Sequence, residues 1–265
     1  KILAGIPTRM RNTSGRIADV LAQVCDTVVV ISQGATCNHT KPNVDVLEKD
    51  VNFGLVPARN AILDYALAGG YDVVLQSDDD LFYHPATVEV LIQELLDNPN
   101  VGTICSASRA YFNWSKEVGS NKNFVLSACA PQFWAARTEI LRQVGYWTLP
   151  YLEDREYACR LWKLGYPTVQ LHKTLDLAHN PFMSRTNDAT KKGGQPEELE
   201  ATDKHAGLKK AIDYMNERHS DVVKMKYLGQ HGRSFMTRYN WDAMIKCVLE
   251  KKHYLGYEDQ KGRIL

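Results

Sequence analysis

The chain of 265 residues is poor in several features, and each absence removes a class of protein. Six cysteines (Cys25, Cys37, Cys105, Cys129, Cys159 and Cys247) include no C-x-x-C pair, which argues against a zinc site or a disulfide framework. Reduced, packed thiols are expected. No run approaches the roughly 20 apolar residues of a membrane span, and no signal peptide opens the chain, which enters a strand-like run at Lys1 without a Met. A trimmed targeting segment would leave no trace. Three N-x-S/T triplets, at Asn12, Asn38 and Asn113, matter only in a secretory lumen and arise often by chance, so the expectation is a soluble, cytoplasmic protein with no membrane partner. No internal repeat is present.

Net charge is scarce too, at +1, but unevenly spread. From Lys204 onward there are 13 Lys and Arg against 7 Asp and Glu, leaving 19 against 24 before it, and four of the eight histidines lie in that tail. A solvated helical face or a polyanionic partner explains such a tail. With 44% hydrophobic and 24% charged residues, the chain has material for a sizeable core.

Short apolar runs alternate with amphipathic ones through the first two thirds, as expected of strands joined by crossover helices in a mostly parallel sheet. Strands are expected at Ile2 to Ile6, Thr27 to Ser32, Val44 to Glu48 and Tyr71 to Gln76. Helices are expected in "SGRIADVLAQV" with Ser14 as N-cap, in "GLVPARNAILDYALAGG" and after Pro85. From Asn100 to Arg137 the pattern is irregular, with "VGTICSAS" and "FVLSACAPQFWAA" as strand-like runs. A helix "LEDREYACRLWKLG" and a strand "YPTVQLH" follow. Residues 182–205 are polar and Gly-rich, which predicts a flexible loop or lid.

Within "VVLQSDDDLFYHP" three aspartates meet the end of a buried strand, where open α/β sheets bind ligands. Adjacent carboxylates raise one another's cost of ionising unless a cation offsets them. Asp78 and Asp80 would share one face of an extended strand end, and two hard oxygen ligands suit Mg²⁺ or Mn²⁺. Glu153 and Asp154 open a helix, where carboxylates serve as caps or, kept ionised by the dipole, as a general base. His179 ends a strand-like run before the polar loop and is a candidate metal ligand. Arg59 and Asn60 open a helix whose free N–H groups suit phosphate or nucleoside, although a salt bridge within the sheet explains Arg59 equally.

Taken in order, these pieces resemble the GT-A glycosyltransferase fold, and its inverting family 2 branch in particular. "GIPTR" resembles the first strand and base-contacting loop, which implies donor contacts from Pro7, Thr8 and Arg9. "NFGLVPARNAILDYA" resembles the family's Gly-x-x-x-Ala-Arg-Asn helix, bringing Arg59 and Asn60 to the donor. "QSDDD" resembles the D-x-D stretch, implying Asp78 and Asp79 on the sugar nucleotide and Asp78, Asp80 and His179 on the metal. "APQFWAARTEILRQVGYW" resembles the acceptor segment, and "LEDREYACRLWKLGY" the helix whose Asp154, with Glu153 beside it, supplies the base. The implied cofactors are Mn²⁺ or Mg²⁺ and a nucleotide-sugar, UDP-linked by family frequency.

The resemblance covers about 1–181 and implies a catalytic core there, divided near residue 100 into nucleotide-sugar and acceptor halves; beyond it a basic helical C-terminal extension at 206–265, packed on the core, is expected. Three places depart from the family: "ISQGATC" stands where an acidic stretch usually follows the second strand, Gln76 holds the first acidic place of "L-D-x-D-D", and the segment after Pro181 matches nothing general in the fold. The basic tail resembles phage-type glycosyltransferases found with TET-like oxygenases, implying 5-hydroxymethylcytosine in DNA as acceptor and a host-cytoplasmic setting. A saccharide or protein-glycan acceptor stays open. So do a nucleotidyltransferase using Arg9, Arg11 and Arg16 and a non-catalytic nucleic-acid or glycan-binding module.

Overall fold

The computed structural model describes residues 1–9, 13–51, 53–81, 83–106, 115–117, 124–128, 133–171, 201–228, 235–252 and 255. His179, Cys129 and residues 182–200 of the expected lid lie outside them.

Among the described residues the centre is a nine-stranded sheet, ordered β3-β2-β1-β4-β8-β5-β9-β7-β6. The strands are β1 Ile2–Arg9, β2 Thr27–Gln33, β3 Val44–Lys49, β4 Val73–Ser77, β5 Thr103–Ser106, β6 Ser115–Glu117, β7 Phe124–Ser127, β8 Phe133–Arg137 and β9 Thr168–Leu171. β3, β2, β1 and β4 run parallel, and β8 enters antiparallel between β4 and β5. β5 pairs in parallel with β9, so most of the sheet points one way. The expected single run "FVLSACAPQFWAA" is two strands, β7 and β8, in separate places of the sheet.

Helices cover both faces: α1 Ser14–Leu21, α2 Leu55–Ala68, α3 Pro85–Asp97, α4 Thr138–Val144 and α5 Glu153–Lys163. Alternation along β1 and β4 sorts the core. Ala4, Ile6, Val73 and Leu75 join α1 and α3 on one side. Leu3 and Val74 join Ala58, Ile62 and Leu63 of α2 on the other. Gly5 is required by close approach, since a Cβ there would lie 2.3 Å from the Ile62 side chain. α1 is capped by the Thr13 position rather than Ser14, and no side chain bonds its first N–H groups.

The extension differs from the helical expectation. After α6 Ala201–Arg218 comes an antiparallel hairpin, β10 Val223–Tyr227 and β11 Phe235–Tyr239, and then α7 Trp241–Lys251. Its inward residues Met215, Val223, Met244 and Ile245 share one apolar cluster with the α1 and α3 face. Helix α6 begins at Ala201, so the last residues of the expected lid are its first turn. The described cysteines are all free thiols, and burial pushes the Cys25 thiol up to about 12.

Candidate active site

β4 ends at Ser77 and releases the aspartate triplet at the carboxyl edge of the parallel strands. Each aspartate has a different environment. Asp79 is buried, its carboxylate accepting from the Thr8 hydroxyl at 2.6 Å and its carbonyl from Thr13. Thr8 and Asp79, both expected on the donor, therefore bond to one another and fasten the β4 edge to β1. Asp78 keeps 30% of its side-chain area to solvent and faces the Arg59 guanidinium at 3.8 Å, while Asp80 is half-buried.

Arg59, on the first turns of α2, is buried and has a second acidic neighbour, Glu153 of α5, at 3.5 Å. One guanidinium thus joins the strand-end aspartates to the helix-start pair. Burial pushes the Asp78 carboxyl up to about 7; Arg59 opposes the rise, and Asp80, Asp79 and Glu153 add to it. Burial also raises Glu153, again against Arg59 and with help from Asp154.

Three residues expected on the donor have partners within the fold. Asn60 gives both ends of its amide to Trp147, donating to its carbonyl at 3.0 Å and accepting from its N–H at 2.9 Å. It clamps the segment that leads into α5. Arg9 donates through Nε to the Val51 carbonyl at 2.9 Å, and Pro7 is buried in β1. No sequence pattern marks a contact between residues as distant as Asn60 and Trp147.

Leu152, immediately before Glu153, adopts φ 61° and ψ 25°. A left-handed backbone costs a non-glycine residue about 1–2 kcal/mol and persists only where its surroundings enforce it. Its carbonyl accepts from the Arg155 and Glu156 N–H groups, so this conformation starts α5 and fixes where Glu153 and Asp154 emerge. Arg160 reinforces the same segment from Glu156, donating to the Val144 and Tyr146 carbonyls.

Among the described residues no group of three or more His, Cys, Asp and Glu side chains is gathered to hold a metal ion. Asp78 and Asp80 supply two hard oxygen donors, a set that fits a divalent cation whose other ligands come from diphosphate and water.

Gln76 lies two residues before Asp78, 3% exposed, with neither amide atom hydrogen-bonded. An unsatisfied buried polar group costs about 1–3 kcal/mol, so Gln76→Leu should raise stability by about 1 kcal/mol in urea denaturation. Loss of donor binding in that more stable variant would assign the amide to the ligand.

A mostly parallel sheet flanked by helices, with an acidic strand edge facing an acidic helix start, is consistent with the GT-A arrangement. Residues 25–152 match the family model described as Glycosyl transferase family 2. No curated protein matches the chain. Among solved structures it is similar to S. aureus TarS, with TM-score 0.54 and 16% identity over 82% of this chain and 40% of that one. Glucosyl-3-phosphoglycerate synthase from Mycobacterium tuberculosis with phosphoglyceric acid gives TM-score 0.52 and 16% identity over 90% of this chain and 87% of that one. The same synthase in complex with Mg²⁺ and UDP gives 0.51 and 16%, over 90% and 86%. At such identities the likeness concerns the fold. No helix among the described residues is long and apolar enough to cross a membrane.

Proposed function

We propose that the protein transfers a sugar from a UDP-linked donor to a hydroxyl acceptor by a single inverting displacement. The observation carrying this reading is the Arg59 bridge, which sets Asp78 at the strand edge against Glu153 at the start of α5. The donor half is residues 1–100 and the acceptor half 101–181. Asp78 and Asp80, with His179, would hold Mn²⁺ or Mg²⁺, as the UDP- and Mg²⁺-bound neighbour suggests. When bound, such an ion supplies Lewis-acid stabilisation of the departing diphosphate. Arg59 adds a fixed positive charge on the same side.

Asp154 is the base in this reading. Glu153 is tied to Arg59 and drawn toward its protonated form, whereas Asp154 is half-buried and has no hydrogen bond or ion pair among the described residues. Glu153 then orients rather than accepts the proton.

For the acceptor, the outer face of the C-terminal hairpin favours a polyanion. Lys224, Lys226 and Arg238 are exposed there, and Lys224 stands directly opposite Arg238 in register. Like charges across a strand pair destabilise unless neutralised, as a phosphate backbone would do. The Arg155 guanidinium lies 4.9 Å from the centre of the Phe235 ring, which puts this hairpin beside α5. This supports a polyanionic acceptor; within that class we take 5-hydroxymethylcytosine in DNA, in the host cytoplasm, as the acceptor to test first.

Incubation with Mn²⁺, a panel of sugar nucleotides, and hydroxymethylated DNA, plain DNA or saccharides, read by product mass, tests the reading. Released nucleoside diphosphate is expected. Pyrophosphate would indicate nucleotidyl transfer, and sugar only on saccharides would end the DNA assignment.

A pH dependence follows from Asp78. Its protonated form cannot bind a cation, so Mn²⁺-supported UDP affinity should fall about tenfold per pH unit below about 7, by calorimetry.

A further inference from the structure

We infer that the C-terminal segment is a positioning element of the active site: α6 and the hairpin set the geometry of the Glu153–Asp154 pair from outside the family-matched region. This rests on the proposed role of that pair. The family match ends at residue 152, well before this segment begins.

Contacts from the segment reach α5 and its approach on both sides of the pair. Ahead of it, Tyr151 packs on α6 at Gly207, where an added Cβ would lie 2.4 Å from the tyrosine Cε2. Only glycine admits the ring so close. Behind it, Phe235 of β11 stacks with the Arg155 guanidinium. At the next residue, His219, which follows α6, places Nε2 3.4 Å from the buried Glu156 carboxylate. At the far end of α5, Lys163 pairs with Asp221 at 2.8 Å and donates to the Arg218 carbonyl at 2.8 Å. Burial pushes Glu156 upward, yet hydrogen bonds from His219 and Arg160 hold its carboxyl below the ordinary value, so the contact is made by an ionised group.

The placing of these contacts matters because Leu152 lies between Tyr151 and the pair in a left-handed conformation. Such a backbone relaxes unless held from both sides. Tyr151 against Gly207 holds one side, and Arg155 with Glu156 holds the other. The direction of the Asp154 carboxylate therefore depends on residues more than fifty positions downstream. Among the described residues no contact of this kind reaches Arg59 or Asp78 directly, so the segment acts first on acceptor activation, and donor binding feels it only through the Glu153–Arg59 pair.

Gly207→Ala tests this. The added methyl should displace Tyr151, lowering kcat about tenfold while UDP affinity stays within twofold of the parent. Tyr151→Leu in the same background removes the clashing ring edge and should recover most of the loss. Hydrogen exchange at the Arg155 and Glu156 amides should quicken in Gly207→Ala and slow again in the double variant, whatever chemistry the enzyme performs. Phe235→Leu, which adds no bulk, should lower kcat selectively and serves if Gly207→Ala does not fold. Unchanged exchange in both single variants, or kcat and UDP affinity falling together, overturns the inference. A parent that transfers no sugar while its exchange responds as described overturns the functional reading instead.

Discussion

Arg59→Met should cost about 2 kcal/mol of stability at pH 8 and lower kcat/KM about a hundredfold, because it removes the guanidinium that faces both halves of the site. Breaking a buried ion pair by deleting one partner typically costs about 3–5 kcal/mol. That figure is reduced here because Asp78 keeps 30% of its side-chain area to solvent and the contacts, at 3.8 and 3.5 Å, are longer than direct hydrogen bonds. Asp78 and Glu153 already hold their protons more tightly than ordinary carboxyls. Without Arg59 both rise further. A raised folded-state pKa gives stability that is present at low pH and lost as pH climbs through it, so the penalty should grow from pH 5 to pH 8. Denaturation series at the two pH values check this, and a penalty independent of pH would show that Arg59 acts through packing alone. Arg59→Lys keeps charge but loses the planar reach to both partners, so it should fall between.

The double role of Arg59 marks how far the sequence could be read. Strand and helix order was legible because each apolar run carries its own period: "TVVVIS" and "VVLQ" lie in strands that flank β1 in parallel, and "NAILDYALA" presents Ile62, Leu63 and Ala66 to one face. The position of β8 was not legible. Insertion of Phe133–Arg137 between β4 and β5 is set by pairing of Ala135 with Leu75 and Ile104, which no local period encodes.

The same limit divides the candidate site. Asp78, Arg59 and Glu153 come together as chemistry-bearing motifs at element ends. Asn60 and the Thr8–Asp79 pair carry equally polar signals but turn inward, because the ends of β1, β4 and α5 leave backbone and hydroxyl groups that need partners. Polarity marks a residue as available; only tertiary contact decides whether the fold or a ligand uses it. Leu152 is the opposite case, an apolar residue with no chemical signal whose backbone angle aims the whole acidic pair.

Asp154→Asn should reduce transfer by about 10² to 10⁴, the usual contribution of a general base, with UDP affinity unchanged. The amide is nearly isosteric and cannot accept the acceptor's proton. Glu153→Gln should behave differently although its neighbour is only one residue away. Glu153 faces Arg59 and is pushed toward protonation by burial, so the neutral amide copies much of its resting state. Its main effect should be to free Arg59 toward Asp78, lowering the Asp78 pKa and shifting the acid limb of UDP binding downward. Two carboxylates in one helical turn thus separate by kind of defect: loss of turnover for Asp154, displaced pH dependence for Glu153. Turnover lost in Glu153→Gln but kept in Asp154→Asn would exchange the two roles. The Arg59 bridge would then be a clamp on the base itself, released when the donor diphosphate draws the guanidinium away.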